Sequence, residues 1–147
     1  MKTQNLILEF NNFKMISVDA GILLFRTALC LELIFVHGLK KIGIGTAVAE
    51  VVPNPLNLPD QFNQLFAISA NLIFPVFVLF GYLTRLAIFP ILAVTLTGYF
   101  IIHWNDSPLV RDIPFMYSLG FLLLFMTGPG KYSIDYRLCI KNMPVIN

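Results

Sequence analysis

Two histidines, a glutamate and an arginine stand in stretches that are otherwise almost wholly apolar: Arg26, Glu32 and His37 between residues 18 and 39, and His103 near the end of a stretch from 86 to 104. An ionised side chain near the middle of a membrane helix costs about 2.5–3.5 kcal/mol on insertion scales, so such residues are found where they carry protons, hold a ligand or tie helices together. In a helix turning about 100° per residue, Arg26, Cys30, Leu33 and His37 share one face, and Glu32 points about 120° away from it. Glu32 therefore needs a partner on another helix, for which Asn71 is the candidate. His37 and His103 both stand near the outer ends of their stretches, at a similar depth. Two histidines and a carboxylate suffice for an iron or zinc site with open positions, but the spacing follows no metal-binding motif, and no metal is assigned. A pocket whose imidazoles bond the carbonyl oxygens of a quinone-like ring, or pass protons, fits the set better. Interhelical polar bonding without a ligand is the plain alternative. The candidate binding or proton-transfer residues are thus Arg26, Glu32, His37, Asn71 and His103, and no residue is assigned as catalytic.

The elements that must position these residues follow from composition. Of 147 residues 57% are hydrophobic and 12% charged, against about 25% charged in soluble domains, and the mean hydropathy is +0.77. These values exclude a water-soluble globule and a disordered chain, and leave an integral membrane protein. No basic patch interleaved with aromatics supports nucleic-acid binding. The cysteines Cys30 and Cys139 make no disulfide framework. The N-terminus lacks the pattern of a removable signal peptide, so the first span is expected to target the chain. No repeat or composition break divides residues 1–147, which read as one domain.

Four stretches have the length or hydropathy of spans, at about 18–39, 64–83, 86–104 and 113–127, and give an all-α four-helix membrane bundle. Only Thr84 and Arg85 separate the second from the third, which demands a tight helical hairpin. The fourth, at 15 residues, would rise only about 22 Å, so it must recruit residues 108–112, thin the bilayer or fail to span. Pro75 and Pro90 each remove a backbone donor and are expected to kink their helices unless neighbours compensate. Lys2, Lys14, Arg85, Lys131, Arg137 and Lys141 share one side, against Lys40, Lys41 and Arg111 on the other. Both termini are therefore expected in the cytoplasm. Leu6, Phe10, Phe13 and Ser17 suggest an amphipathic stretch in the cytoplasmic interface. Between the first two spans, Thr46 is positioned to cap a short helical turn through Val52, and the apolar connection is suited to fold back as a lid. Lys40, Arg85, Lys131 and Tyr132 read as interface anchors.

Four motifs occur in order along this hydropathy pattern. They are Arg26 followed by His37-Gly38-Leu39-Lys40-Lys41, the turn Gly81-Tyr82-Leu83-Thr84-Arg85, His103 closing the third span, and Gly128-Pro129-Gly130-Lys131-Tyr132-Ser133-Ile134-Asp135. On these motifs the chain resembles the DoxX family of small bacterial and archaeal membrane proteins from Gly21 to Asp135. The resemblance implies a four-helix bundle associated with redox chemistry, since relatives include small subunits of quinol or thiosulfate:quinone oxidoreductase complexes and proteins linked to quinone detoxification or oxidative stress. Where the family commonly carries a Glu near the start of the second helix, this chain has Asn71, and it offers Glu32 on the first helix instead. The expected function is a redox-associated accessory subunit or a quinone-binding protein in the inner membrane. Lacking a haem, flavin or iron–sulfur signature, it would act as an oxidoreductase subunit only with a partner protein. A non-catalytic scaffold or assembly factor is the alternative, and a small-solute or lipid transporter a third. The bilayer, a redox partner or further copies of the chain are the expected partners.

Overall fold

The computed structural model describes residues 16–141. Helices α1 (Val18–Lys41), α2 (Asp60–Phe80), α3 (Thr84–Ile102) and α4 (Pro108–Thr127) are each long and apolar enough to cross a membrane, and a short α5 (Ile134–Lys141) follows. No strand occurs among the described residues. Ser17 starts α1 by accepting the Ala20 N–H at 3.2 Å, with Asp19 in the first turn where the helix dipole favours an anion. The rest of the expected interfacial stretch, Leu6, Phe10 and Phe13, lies outside the described residues.

The fourth helix resolves its length problem by recruiting residues 108–112. Pro108 sits in the first turn after Ser107, where a missing N–H is harmless and the fixed φ suits a helix. The resulting 20 residues rise about 30 Å, enough for a hydrocarbon core. Arg111 and Asp112 made this segment look like loop, but Arg111 lies over the rings of Tyr99 and Trp104 at 4.8 and 4.9 Å, which shields its charge at the membrane boundary.

Each helix turns a thin stripe inward and the rest outward. Cys30, Leu33, Val78, Ile88, Phe121 and Leu124 are among the buried core, whereas Leu24, Phe35, Phe89 and Met126 are exposed, as lipid-facing side chains should be. Helix α3 packs closely on both α2 and α4, while α1 rests mainly on α2 and touches α4 only sparsely. The backbone stays helical through Pro75 and Pro90. Pro75 frees the Asn71 carbonyl four residues before it, and Gly38 of α1 lies directly against that carbonyl. A Cβ at residue 38 would stand 2.6 Å from it, so the glycine permits a close approach of the two helices.

At the end of the bundle holding Ser17, the α2–α3 turn and α5, one polar knot joins segments far apart in sequence. Arg26, 1% exposed, donates from one guanidinium nitrogen to the Pro129 carbonyl and from the other to the Tyr132 carbonyl at 3.0 Å. Asp135 accepts the Leu83 and Thr84 N–H groups at 2.8 and 2.9 Å and the Thr84 hydroxyl at 2.8 Å. Its own N–H donates to the Gly81 carbonyl at 2.8 Å. Asp135 thus caps α3 from a distance and holds Leu83 at φ 47°, a region a leucine enters only when its surroundings dictate it. The Lys131 N–H donates to Asp19 at 3.0 Å, and its ammonium lies 3.5 Å from the same carboxylate. Arg85 donates from Nε to the Phe125 carbonyl at 3.2 Å, near the end of the fourth helix. The Tyr132 ring is exposed while its carbonyl serves Arg26.

Gly81 has φ 66° and no room for a side chain: a Cβ there would lie 2.4 Å from that of Ser133 and 2.7 Å from the Arg26 guanidinium. Asp135→Ala is expected to remove about 1–2 kcal/mol of stability as a lost cap. Gly81→Ala is expected to cost more, since strain and overlap add. Melting curves in one detergent check both, and an unchanged Tm for Gly81→Ala would show that the knot does not hold the bundle.

Candidate functional site

At the opposite end the four helices diverge around a cavity of about 660 Å³. Its chemistry comes from His37 on α1, Asn71 on α2, Thr95 and His103 on and after α3, and Tyr117 on α4. Its walls include Leu33, Phe66, Ala67 and Ile113. Both histidines sit at departures from α-helical winding. Residues Leu33–Gly38 of α1 form a π-helical segment containing His37. Residues Gly98–Ile102 form a second, closed by the His103 N–H donating to the Gly98 carbonyl five residues back at 2.9 Å. A wider turn re-aims the side chains that follow it, and such segments recur at functional sites.

The polar groups are individually oriented. The His37 ring meets Tyr117 edge to face, with centroids 5.2 Å apart. His103 Nδ1 stands 2.7 Å from Asp106 Oδ2, which favours the proton on Nδ1 and leaves Nε2 as an acceptor. Asn71, 4% exposed, donates from Nδ2 to the Ala67 carbonyl at 2.7 Å, which leaves its Oδ1 and second N–H for a ligand. The hydroxyls of Thr95 and Ser118 lie 2.8 Å apart, and Ser118 donates to the Pro114 carbonyl at 2.7 Å. Walls that are mostly apolar with a few oriented polar groups are the usual constitution of a small-molecule site.

The connection from 42 to 59 covers this cavity. Gly43 and Gly45, at φ 78° and 81°, turn the chain after α1, and the Glu50 N–H returns to the Lys40 carbonyl at 2.9 Å. Asn54 accepts the Leu58 N–H at 3.0 Å and donates to the Leu58 carbonyl at 2.7 Å, while Asn63 donates to the Pro53 carbonyl at 3.0 Å. Val51, Pro55 and Leu56 then line the cavity from above. The expected lid is present, but the helical turn from Thr46 to Val52 is not. Thr46 donates to the Val48 carbonyl at 2.9 Å, and this stretch forms bends and extended chain. Its valines favour an extended backbone, and Pro53 biases the residue before it the same way.

Of the five residues proposed from sequence, the structure brings His37, Asn71 and His103 to one cavity and leaves two elsewhere. Arg26 belongs to the polar knot at the other end, where its guanidinium donates to two backbone carbonyls. Glu32 is exposed on the outside of α1 and makes no hydrogen bond with Asn71. Lys40, expected as an anchor, pairs with the lid: its ammonium lies 3.4 Å from Glu50, and that of Lys41 3.2 Å. Sequence reasoning missed Asp106, Tyr117, Thr95 and Glu50. Only Asp106 carried a local signal, three residues after His103.

Partial burial pushes the Glu50 carboxyl up, but the Lys41 and Lys40 ammonium groups outweigh it and hold it below the ordinary carboxylate range. A depressed folded value means that the clasp contributes fully above the unfolded value, about 4.3, and is lost as pH falls through the lower folded value. Protection of the amides in residues 46–56, taken relative to their intrinsic exchange rate at each pH, is therefore expected to be flat from pH 7 to about 5 and to fall below about 4. Glu50→Gln should abolish that acid step while costing only about 0.2–1 kcal/mol. Protection that already falls between pH 7 and 5 would contradict the assignment.

Comparison with known proteins agrees with this architecture. The family model described as DoxX matches residues 21–104, which contain α1 except its first three residues, α2, the lid, α3 and the three polar residues His37, Asn71 and His103. The chain is 32% identical to an uncharacterized protein of Haemophilus influenzae over 132 residues, 83% of this chain and 87% of that protein. It is 45% identical to the inner membrane protein YqjF of Escherichia coli over 65 residues, 42% of this chain and half of that relative's length. No solved structure matches the chain. The four spans, the order of the motifs and the match over 21–104 make this chain a membrane protein of the DoxX family.

Proposed function

We propose that the chain binds a quinone-like ring in the lidded cavity and serves as a redox-associated accessory subunit, passing protons while a partner protein supplies electrons. The observation that carries this reading is the convergence of His37 and His103, from different helices, on one mainly apolar cavity at the same end of the bundle. A flat ring with two carbonyl groups needs apolar walls and a polar contact at each end, and its redox chemistry takes up or releases protons at those oxygens. Imidazole N–H and the Tyr117 hydroxyl are donors for a carbonyl oxygen. The Asn71 oxygen and His103 Nε2 are acceptors for a hydroxyl. The His103–Asp106 pair opens toward solvent, with both side chains partly exposed, and provides a route for a proton between the cavity and the aqueous edge. The distribution of Lys and Arg supports a topology with both termini in the cytoplasm, which sets the cavity on the outer side of an inner membrane.

Titration of the purified protein in lipid nanodiscs with a short-chain benzoquinone, read by tryptophan fluorescence from Trp104 and by thermal shift, tests the reading. Saturable binding is expected, with His37→Ala and His103→Ala each weakening it about tenfold, the worth of one hydrogen bond to a partly buried group. Glu32→Gln, outside the cavity, should leave binding unchanged. Absence of saturable binding, or binding by both histidine variants as tight as by the unsubstituted chain, would remove quinone from the site.

A further inference from the structure

The cavity is not confined to the space between the four helices. In a helix turning about 100° per residue, Val94, Thr97 and Ala93 stand about 100°, 160° and 200° around α3 from Thr95, all in one sense. All four line the cavity, yet Thr95 is buried and Ala93 is exposed on the outside of the bundle. Helix α4 lies on the other flank of α3, where Phe89 and Tyr99 meet Phe125 and Phe115. On α2, Phe66 and Phe62 stand about 140° and 180° from Asn71, away from Leu72, against which Gly38 of α1 rests. Both rings line the cavity and lie nearly parallel, 20° apart with centroids at 6.0 Å. The space therefore continues as a slot between α2 and α3 and reaches the lipid-facing surface of both. Ala93 is nine residues from the end of α3 at Ile102, which sets the slot at hydrocarbon depth.

Toward water the same cavity is roofed by Val51, Pro55 and Leu56, and the roof is tied down by Asn54, Asn63 and the Glu50 clasp. We infer that the ligand is an amphiphile that enters sideways from the membrane and whose hydrocarbon tail leaves through this slot into the bilayer. The inference rests on the ring-binding reading above and names the class of ring compound, one bearing a long prenyl or alkyl chain. A polar head among His37, Asn71 and His103 and a chain between α2 and α3 match the two parts of the cavity. Of the five slot residues only Thr97 is polar, so water in the slot finds too few partners, whereas a chain gains dispersion contacts with the phenylalanines. Moving that chain from lipid into the slot costs no desolvation, since both surroundings are apolar. At about 660 Å³ the cavity is in the range of sites for drug-sized ligands, about 300–1,000 Å³, and a bare ring leaves its apolar arm unfilled.

The test is photolabelling of the full chain in lipid nanodiscs by a benzoquinone with an alkyl tail bearing a diazirine near its end, the labelled residues being mapped by mass spectrometry. Label is expected within 62–66 and 93–97, and an excess of the same compound without the diazirine should displace most of it. Ala93→Phe, which narrows the slot at its lipid-facing rim, should lower the affinity for the tailed ring relative to the tailless ring about tenfold. Label on Val51 to Leu56 would send the tail out through the lid, and an affinity ratio unmoved by Ala93→Phe would leave the slot without a role. Either result overturns the inference while the ring-binding reading stands. Label at the slot that a tailed alcohol displaces as effectively as the tailed ring gives the slot to bulk lipid and likewise overturns it. If neither ring binds saturably, the ring-binding reading falls and the inference with it.

Discussion

A guanidinium buried inside a membrane protein needs acceptors, and Arg26 finds two in the backbone carbonyls of Pro129 and Tyr132, although its Nε has no partner among the described residues. The chain after α4 is thereby drawn back beneath the bundle. That return brings Asp135 to the start of α3, where its carboxylate substitutes for a local cap, and brings Ser133 so close to residue 81 that only glycine fits. Without a hydrophobic force between helices in lipid, such polar ties and close packing decide how the spans are arranged. The tie at this end leaves the opposite end free to diverge.

Divergence there is what makes a cavity. Gly38 brings α1 tightly against α2 at the Asn71 carbonyl, and the π-helical segments of α1 and α3 then turn His37 and His103 toward the space left between the helices. The lid is fastened by backbone bonds and by the clasp of Glu50 on Lys40 and Lys41. The bundle therefore has one rigid end and one end whose cover is held by exposed ion pairs of modest strength.

The same division sorts the intramembrane polar residues. Arg26 is structural, His37 and His103 face the cavity, and Glu32 faces outward. Three residues on one helix thus meet three different environments: the bundle interior, the lidded cavity and the outer surface of the protein.

Much of this was legible in the sequence. Hydropathy and length determined four spans, Thr84 and Arg85 the tight hairpin, and the apolar stretch after Gly45 the lid, because each depends on local composition or spacing. The helical wheel already separated Glu32 from the face of Arg26 and His37. The role of Arg26 could not be read in this way, since its acceptors are backbone groups more than 100 residues away and carbonyls leave no mark on residue identity. Nor could the meeting of His37 with Tyr117, the clasp by Glu50, or which of the three courses open to the short fourth span the chain takes. These depend on which helices pack against each other and where their winding widens, and tertiary contacts alone decide that.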